Sequence, residues 1–254
     1  DYCERLCGLE PEPHPAVGPA SERVALDPDT WLSPGSLNAA LRGSGAACFA
    51  VDQIYAGRGR NAFCAVRPPG HHAGAARAMG FCLLNHVAVA TRHAQAVHGA
   101  RRVAILDFDV HHGNGTQAIF ENDAEVLYVS SHQVPLYPGT GQPAETGCGN
   151  ILNLPLAPGS GSKEFRRAWL QRGLPALERF EPDLVIVSAG FDAHQRDPLA
   201  QLELQDADYA WVTAEIRVLA DAACGGRLVS VLEGGYDLDA LASASAAHVQ
   251  ALIA

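Results

Sequence analysis

The chain has 254 residues, of which 48% are apolar, and a formal net charge of −10 at pH 7. This length fits one large domain or two small ones, and the apolar share is enough for a sizeable core. No run of about 18 apolar residues occurs, which argues against a membrane span, and the negative charge argues against a nucleic-acid groove while suiting a cationic substrate.

The seven cysteines are scattered, odd in number and without a Cys-x-x-Cys pair. This usage predicts reduced thiols in a cytoplasmic protein rather than a disulfide framework. The first residues carry charges and prolines, so no signal peptide is predicted. Lys163 is the single lysine among many arginines and alanines, a bias typical of a GC-rich, bacterial genome.

Residues 1–34 are rich in Pro, Glu and Gly without a sustained period, and they predict a loop-rich surface segment. Beyond them, apolar runs bounded by turn residues predict strands, and periodic or Ala-rich stretches predict helices. The predicted strands are 61–66, 102–108, 125–130, 151–154, 183–188 and 227–232. The predicted helices are a stretch opened by Pro34-Gly35-Ser36 and running to about 55, then 82–97, 116–120, 163–180, 205–223 and a final Ala-rich segment.

Strands therefore alternate with helices, and most strands are continuous apolar runs. This alternation predicts an α/β fold whose central, mainly parallel sheet is covered by helices on both faces. No internal repeat, low-complexity tract or linker occurs in the sequence, so we predict one domain over residues 1–254.

The predicted strand at 102–108 leads directly into alternating ionisable residues, Asp107, Asp109 and His111. In an extended chain, residues i, i+2 and i+4 point to the same side, so these groups converge at the end of a buried strand. Buried charges need a partner or a metal, and an Asp-x-His pair supplies oxygen and nitrogen ligands that suit zinc. Asp192, after the strand at 183–188, would complete a three-ligand set with an open fourth position. A buried ion pair, or for Asp192 a helix N-cap, is the alternative interpretation.

The adjacent His71 and His72 follow a rigid Pro-Pro-Gly turn and can present both rings to one cavity. One ring is a candidate general base for metal-activated water, and the other is a candidate acid or electrostatic partner. Asp107 and Asn114 are candidate hydrogen-bond partners that would fix the tautomer and charge of the two rings. The alternative is that the pair is an ordinary loop feature.

Tyr236 follows two glycines, and its hydroxyl could donate to a developing oxyanion opposite the metal. Gly80-Phe81 and Tyr137 are candidate walls of a narrow channel. The alternative interpretations are a packing tyrosine and ordinary core aromatics. A metal, an open position, a base and an oxyanion donor together describe metal-assisted hydrolysis of an amide.

The candidate site residues share one position in the predicted fold, after the C-terminal end of a strand. They are His71, His72, Asp109, His111, His132, Asp192 and Tyr236. Because ligands bind at that edge of open α/β sheets, we expect these side chains to gather there.

Several motifs resemble those of the zinc-dependent histone deacetylase family, in particular its class II branch. The motifs are Arg67-Pro-Pro-Gly-His-His-Ala73, Gly80-Phe-Cys82 with Asn85, Asp107-Phe-Asp-Val-His-His-Gly-Asn-Gly115, Tyr137-Pro-Gly-Thr-Gly141, Ser188-Ala-Gly-Phe-Asp192 and Glu233-Gly-Gly-Tyr236. This family includes bacterial deacetylase-like amidohydrolases and acetylpolyamine amidohydrolases. The resemblance runs from about residue 30 to the end of the sequence, and it implies the arginase–deacetylase α/β fold.

The resemblance implies zinc on Asp109, His111 and Asp192, with His71 and His72 as the catalytic pair and Tyr236 as the oxyanion donor. It also implies structural monovalent cations, K⁺ or Na⁺. One cation would be bound by Asp107, Asp109, His111 and Ser130, and a second by carbonyls near Phe120, Asp123 and Val126. The substrate channel would be lined by Gly80, Phe81, Tyr137, Leu199 and Gly235.

The resemblance further implies removal of acetyl or other acyl groups from lysine side chains of peptides or proteins, or from similar amines. Polyamine-selective relatives place an acidic residue at the pocket mouth, and the matching position here is Leu199. An apolar residue there favours acetyl-lysine over acetylated polyamines. No nucleic-acid or membrane partner is expected, and the oligomeric state stays open.

The sequence departs from the family at its start, where an extra strand and a His-Pro-Glu-type segment are missing. We therefore expect the N-terminal part of the family domain to be absent. One alternative function is a catalytically inactive acyl-lysine-binding module on the same fold, although Tyr236 and both histidines are retained. Another is a manganese ureohydrolase of the related arginase fold, since Phe191-Asp-Ala-His-Gln-Arg-Asp197 resembles its Asp-Ala-His-x-Asp motif with the spacing changed by one.

Overall fold

The computed structural model describes residues 1–11 and 23–254. A small antiparallel pair is formed by β1 (Val24–Ala25) and β2 (Trp31–Leu32). The central sheet contains β3 (Asn61–Cys64), β4 (Val103–Asp107), β5 (Val126–Gln133), β6 (Ile151–Leu156), β7 (Leu184–Ala189) and β8 (Leu228–Leu232). Its strands all pair in parallel, in the order β3-β8-β7-β4-β5-β6.

Helices precede, connect and follow these strands. They are α1 (Tyr2–Leu9), α2 (Ser36–Tyr55), α3 (His86–His98), α4 (Asn114–Phe120), α5 (Ser162–Ala168), α6 (Leu174–Phe180), α7 (Asp206–Cys224) and α8 (Leu238–Ile253). A π-helical turn at Trp169–Gly173 joins α5 to α6. In the part of the chain that the structure describes, no helix is long and apolar enough to cross a membrane.

Both faces of the sheet are apolar, because successive side chains of a strand point to opposite faces. Leu106 of β4 packs in one core with Val187 of β7 and Ile216 of α7. Its neighbour Ile105 points the other way, into a second core that contains Val51 of α2. Burying an aliphatic side chain of this size contributes about 1.5–3 kcal/mol, so these two cores fix the strands and hence the positions of the residues that follow them.

The direction in which strands are added reverses between β4 and β7. From β4 the chain adds β5 and β6 on one side, and then it returns to place β7 and β8 on the other. Asp107 of β4 pairs with Ser188 of β7, so the two strands end at the same level. Such a reversal leaves a crevice at the carboxyl ends of the two strands, where open α/β sheets bind ligands.

The predicted α/β class, with a parallel sheet between helices, is confirmed. The prediction that residues 1–34 are loop-rich is wrong at its start, where α1 is capped by the side chain of Asp1 and buries Leu6. In that segment Leu32 is also buried. Residues 12–22 of the same prediction lie outside the described residues.

Two predicted boundaries are also wrong. The helix predicted to start at residue 82 starts at His86, because the Asn85 side chain caps it and Phe81 has a positive φ of 65°. The strand predicted to end at Ser130 continues to Gln133, because β6 pairs with it as far as that residue. His132 therefore lies inside a strand rather than after one.

Candidate active site

Asp109, His111 and Asp192 meet in the crevice between β4 and β7. One ligand atom from each lies within 4.8 Å of the other two. The Nδ1 atom of His111 is 3.2 Å from Asp109 Oδ1 and 3.0 Å from Asp192 Oδ2. Both carboxylates are buried, and His111 is partly exposed and lines a pocket. The structure thus brings together the three predicted metal ligands.

Backbone amides hold the two carboxylates in place. The N–H of Gly234 donates to Asp109 at 2.8 Å, and the N–H of Val110 donates to Asp192 at 2.8 Å. These bonds offset part of the cost of burying the charges. The close approach requires glycine, because a Cβ at Gly190 would collide with Asp109 and a Cβ at Gly234 would collide with Asp192.

The charges within the cluster balance one another. Burial opposes a charged His111, but hydrogen bonds to Asp109 and Asp192 raise its pKa to about 10. Burial and the charge of Asp109 raise the pKa of Asp192 to about 7. A divalent cation would displace these protons, because metal ligands must be deprotonated. Two carboxylates and one imidazole then suit zinc or a similar transition ion.

The rings of His71 and His72 lie side by side, with centroids 4.1 Å apart. The Nδ1 atom of His71 donates to Asp107 Oδ2 at 3.0 Å. The Nδ1 atom of His72 donates to Asn114 Oδ1 at 2.8 Å. Each ring therefore has the hydrogen-bond partner that the sequence suggested, and each bond keeps a proton on Nδ1 of its ring.

The two rings titrate in opposite directions. Burial opposes a charge on His71, but the carboxylates of Asp109, Asp107 and Glu233 outweigh it and raise the pKa of His71 well above 6.5. Burial and the charge of His71 lower the pKa of His72 well below 6.5. Near neutral pH, His71 is therefore a cation and His72 is a neutral imidazole that can accept a proton at Nε2.

Glu233 hydrogen-bonds to the backbone of the turn that carries the histidine pair. No role was predicted for this residue. Its Oε2 atom accepts from the backbone N–H groups of Gly70 at 2.6 Å and His71 at 3.1 Å. Its Oε1 atom accepts from the hydroxyl of Ser188 at 2.9 Å. Burial raises the pKa of Glu233 to about 7. In the sequence, a glutamate directly after an apolar strand was the feature that could have indicated this role.

A pocket of about 260 Å³ opens above the cluster. It is lined by Asp29, His72, Gly80, Phe81, His111, Leu136, Tyr137, Leu199 and Tyr236. The set includes four of the five residues predicted for the substrate channel. Gly235, the fifth, instead lines an adjoining pocket of about 310 Å³. A larger, mostly apolar cavity of about 520 Å³, which Tyr2 and Val89 line, contains none of the candidate catalytic or metal residues.

Aromatic rings narrow the pocket next to the cluster. The ring of Tyr137 stands edge-on to the rings of His72 and His111, with centroids 5.1 and 6.3 Å away. The ring of Phe81 stands edge-on to Tyr236 at 6.2 Å. Burial and the nearby carboxylates raise the pKa of Tyr236, so its hydroxyl stays protonated and can donate a hydrogen bond.

The wall at Gly80 and Phe81 has an unusual backbone, with φ values of 57° and 65°. This left-handed region is strained for phenylalanine and persists only where the surroundings hold it. Asp29 Oδ1 accepts from the Gly80 N–H at 3.2 Å, and Thr30 Oγ1 accepts from the Phe81 N–H at 3.0 Å. Asp29 was missed because it precedes the motifs and lies far from them in the chain.

His132 does not line the pocket, so the prediction that it gathers there was wrong. Its Nδ1 atom is bonded to the Ser130 hydroxyl and its Nε2 atom to the Gly141 carbonyl, both at 2.9 Å. Burial lowers the pKa of His132 to about 4. Because β5 continues past residue 130, the ring belongs to a buried hydrogen-bond network of the sheet.

The residues predicted to bind monovalent cations lie in two places. Asp107 and Ser130 are paired in neighbouring strands beside the metal cluster. The backbone carbonyls predicted for the second cation converge on the side-chain nitrogen of Asn150, at 2.7, 3.0 and 2.8 Å. They belong to Phe120, Asp123 and Val126. The Asn150 amide nitrogen thus donates to the carbonyls predicted for the second cation, and both cation sites stay predictions.

Known proteins are similar to nearly the whole chain. The family model described as "Histone deacetylase domain" matches residues 1–252. The histone deacetylase-like amidohydrolase of Pseudomonas aeruginosa is 46% identical over 217 residues, which cover 84% of this chain and 57% of that protein. Histone deacetylase 14, chloroplastic, of Arabidopsis thaliana is 43% identical over 234 residues, which cover 88% of this chain and 55% of that protein. The chain thus spans little more than half the length of these relatives.

A solved structure shares the fold. The crystal structure of the HDA15 HD domain matches with a TM-score of 0.85 and 41% sequence identity, covering 91% of this chain and 68% of that one. This agreement confirms the arginase–deacetylase fold predicted from the motifs.

Proposed function

The chain belongs to the histone deacetylase family, and from that premise we propose that it is a zinc-dependent deacetylase acting on N-acetyl-lysine side chains or similar amides. One observation carries the proposal. A neutral histidine and a protonated tyrosine hydroxyl line one pocket at the carboxyl edge of the sheet, and the three-ligand cluster reaches the same pocket through His111.

The donor set supports zinc as the metal. Asp109, His111 and Asp192 supply two oxygens and one nitrogen, and the two carboxylates neutralise a divalent ion in a buried site. Hard ions such as magnesium prefer oxygen ligands alone. Zinc bound there would act as a Lewis acid on water and on the amide carbonyl.

We assign the role of general base to His72. Its partner Asn114 is neutral, and its ring is uncharged near neutral pH, so Nε2 can take a proton from the attacking water. His71 bonded to Asp107 stays cationic and stabilises negative charge that develops nearby. The water oxygen bonds to the carbonyl carbon, the carbon–nitrogen bond breaks, and the proton taken from water passes to the leaving amine.

Tyr236 is assigned to the developing oxyanion. The tyrosine lines the same pocket as His72 and His111, and its hydroxyl stays protonated. A donor preorganised in a site that excludes water stabilises the charge formed on the carbonyl oxygen.

The lining of the pocket supports an extended alkyl chain as substrate, because the rings of Phe81 and Tyr137 both line it. Leu199 at the mouth favours acetyl-lysine over an acetylated polyamine. The carboxylate of Asp29, which was not anticipated, lies in the same pocket and would attract a second ammonium group. Asp29 therefore favours the alternative function, an acetylpolyamine amidohydrolase.

Two other functions are less well supported. An inactive acyl-lysine-binding module does not need a general base or an oxyanion donor, but this site has a neutral histidine and a tyrosine hydroxyl beside the metal ligands. A two-manganese ureohydrolase needs a second ligand set beside the first. Among residues 1–11 and 23–254, the other group of three potential ligands lies on helices α2 and α3, away from the strand ends.

The first experiment measures zinc content and activity together. Asp192→Ala should lose one zinc ion per chain together with activity, because two ligands hold zinc poorly. Asp239→Ala, which removes an exposed carboxylate, is the matched control and should keep both. Full activity in Asp192→Ala with no zinc lost would remove Asp192 from the ligand set, and two manganese ions that are both lost in Asp192→Ala would favour the ureohydrolase.

The second experiment separates the two substrate classes. Catalytic efficiency is compared for an acetyl-lysine peptide, acetylputrescine and acetylspermidine. We expect the peptide to be preferred, Leu199→Glu to move the ratio toward polyamines, and Asp29→Asn to move it away from them. A tenfold or greater preference of the unmodified protein for polyamines would overturn the lysine proposal and leave the deacetylase chemistry intact.

A further inference from the structure

Two histidines and an aspartate meet on the outside of the helical layer formed by α2 and α3. Asp52 lies near the end of α2, and His93 and His98 lie on the second half of α3. The Nε2 atoms of both histidines are 2.7 Å from the same oxygen, Asp52 Oδ1. One ligand atom from each of the three lies within 4.8 Å of the other two, as in the cluster at the strand ends.

Packing contacts of α2 and α3 fix the positions of these three side chains. Their helices meet in the apolar core through Val51 of α2 and Ala94 of α3, which fixes the distance between the two backbones. The ring of Tyr55 stacks on His98 with centroids 4.5 Å apart and planes 13° apart. A left-handed Gly99 ends α3 directly after His98. The imidazoles are thus oriented toward Asp52 before any ligand arrives.

The exposure of the group suits a bound ion. The side chains of His93, His98 and Asp52 are 24%, 21% and 42% exposed, so an ion can enter from solvent and keep a water ligand. Two imidazole nitrogens and one carboxylate oxygen are ligands that zinc and other first-row transition ions prefer over calcium or magnesium. Three protein ligands and one water complete a tetrahedral zinc shell.

We propose that Asp52, His93 and His98 form a second divalent-metal site, which takes zinc or a related transition ion and joins α2 to α3. None of the three residues lines the pocket above the first cluster. The ion at this site therefore stabilises the helical layer and takes no part in the hydrolysis. This proposal does not depend on the proposed function.

Stoichiometry tests the proposal directly. The full chain is stripped with a chelator and titrated with Zn²⁺ by calorimetry, and bound zinc is counted by elemental analysis after dialysis. We expect two ions per chain for the unmodified protein, one for Asp192→Asn and one for the double variant His93→Gln/His98→Gln. Asp52→Asn, which can still accept a hydrogen bond but is a poor zinc ligand, should also bind one. Gln95→Ala, which changes a polar neighbour on α3, should bind two.

A second readout does not involve activity. In the Asp192→Asn background, added Zn²⁺ should raise the thermal unfolding midpoint, because an ion that binds only the folded state stabilises it. The rise should vanish when Asp52→Asn is added. If Asp192→Asn binds no zinc and its midpoint does not move, the three residues form only a hydrogen-bonded ion pair and the proposal fails. It fails also if the second ion persists in both Asp52→Asn and the histidine double variant, since the ion then sits elsewhere, for example on cysteines.

Discussion

The carboxylate of Asp197 accepts a hydrogen bond from the backbone N–H of Tyr236 at 2.8 Å. Its other oxygen accepts from the backbone N–H of Leu199 at 3.0 Å. One buried side chain therefore fixes two walls of the pocket, the proposed oxyanion donor and the apolar residue at the mouth. In the sequence, Asp197 belonged to the stretch that resembles an arginase motif, but in the structure it is a positioning residue.

Asp197→Ala should lower kcat by roughly tenfold to a hundredfold, because small misplacements of a reacting group carry large rate costs. The free energy of unfolding should fall by about 1–3 kcal/mol, since two backbone donors lose their partner. Asp197→Asn keeps one acceptor oxygen and should be milder. Steady-state kinetics and urea unfolding measure both effects. An unchanged kcat in a folded Asp197→Ala protein would show that Tyr236 is positioned by other contacts.

Tyr236→Phe should keep zinc and the fold but reduce turnover by ~10²–10³-fold, the usual effect of removing one oxyanion donor. Tyr137→Phe removes another hydroxyl from the lining of the same pocket and should change turnover far less. Zinc content and turnover are measured on the same preparations. Equal losses in the two variants would mean that neither hydroxyl specifically stabilises the oxyanion.

The pH–rate profile should be bell-shaped, and its acidic limb should belong to His72. Protonation removes the base as pH falls, and because the pKa of His72 is lowered, this limb should lie below pH 6.5. Asn114→Asp places a negative charge beside the ring, favours the imidazolium and should shift the limb to higher pH. Turnover measured from pH 4 to 10 tests both statements.

The same profile also decides between the two histidines. His72→Ala should abolish the acidic limb. A mild effect of His72→Ala combined with a severe effect of His71→Ala would reverse the assignment of the base.

His248 does not line the pocket and should make stability depend on pH. The ring is buried between the hydroxyls of Thr213 and Ser230, and burial lowers its pKa to about 4. Between pH 4 and 6.5 the unfolded chain binds a proton that the folded chain excludes, so stability falls as pH falls through this window. The contribution is roughly 2 kcal/mol between pH 7 and pH 5.

His248→Gln should remove that part of the pH dependence. Urea unfolding at pH 5 and pH 7, for the variant and the unmodified protein, gives the comparison. Buried His132 adds a similar slope in both proteins and cancels in the difference. Identical pH dependence in the two proteins would mean that the environment of His248 does not exclude its charge.

The strands that carry the metal ligands could be predicted from the sequence because their signal is local. Continuous apolar runs before Asp109 and Asp192 can only be buried on both faces, and buried parallel strands end at one edge. The motif residues therefore had to meet. The hydrogen bonds of His71 and His72 followed from the same placement.

What could not be predicted depends on contacts between distant parts of the chain. The end of β5 is set by its pairing with β6, and this moved His132 into the sheet. Asp29 reaches Gly80 from a position 51 residues earlier, and no local pattern indicates such a contact. Phe81 has a positive φ that phenylalanine alone disfavours, and its backbone N–H donates to another distant residue, Thr30.

The reversal between β4 and β7 also bears on the order of folding. His111 and Asp192 are 81 positions apart, and β5 and β6 lie between them in sequence but not in space. Closing so long a loop is slow compared with forming helices or adjacent strand pairs. The three-ligand cluster can therefore form only after β7 has inserted beside β4. Metal uptake at the strand ends should accordingly be a late event in refolding. Its rate would therefore report how fast the central sheet is completed.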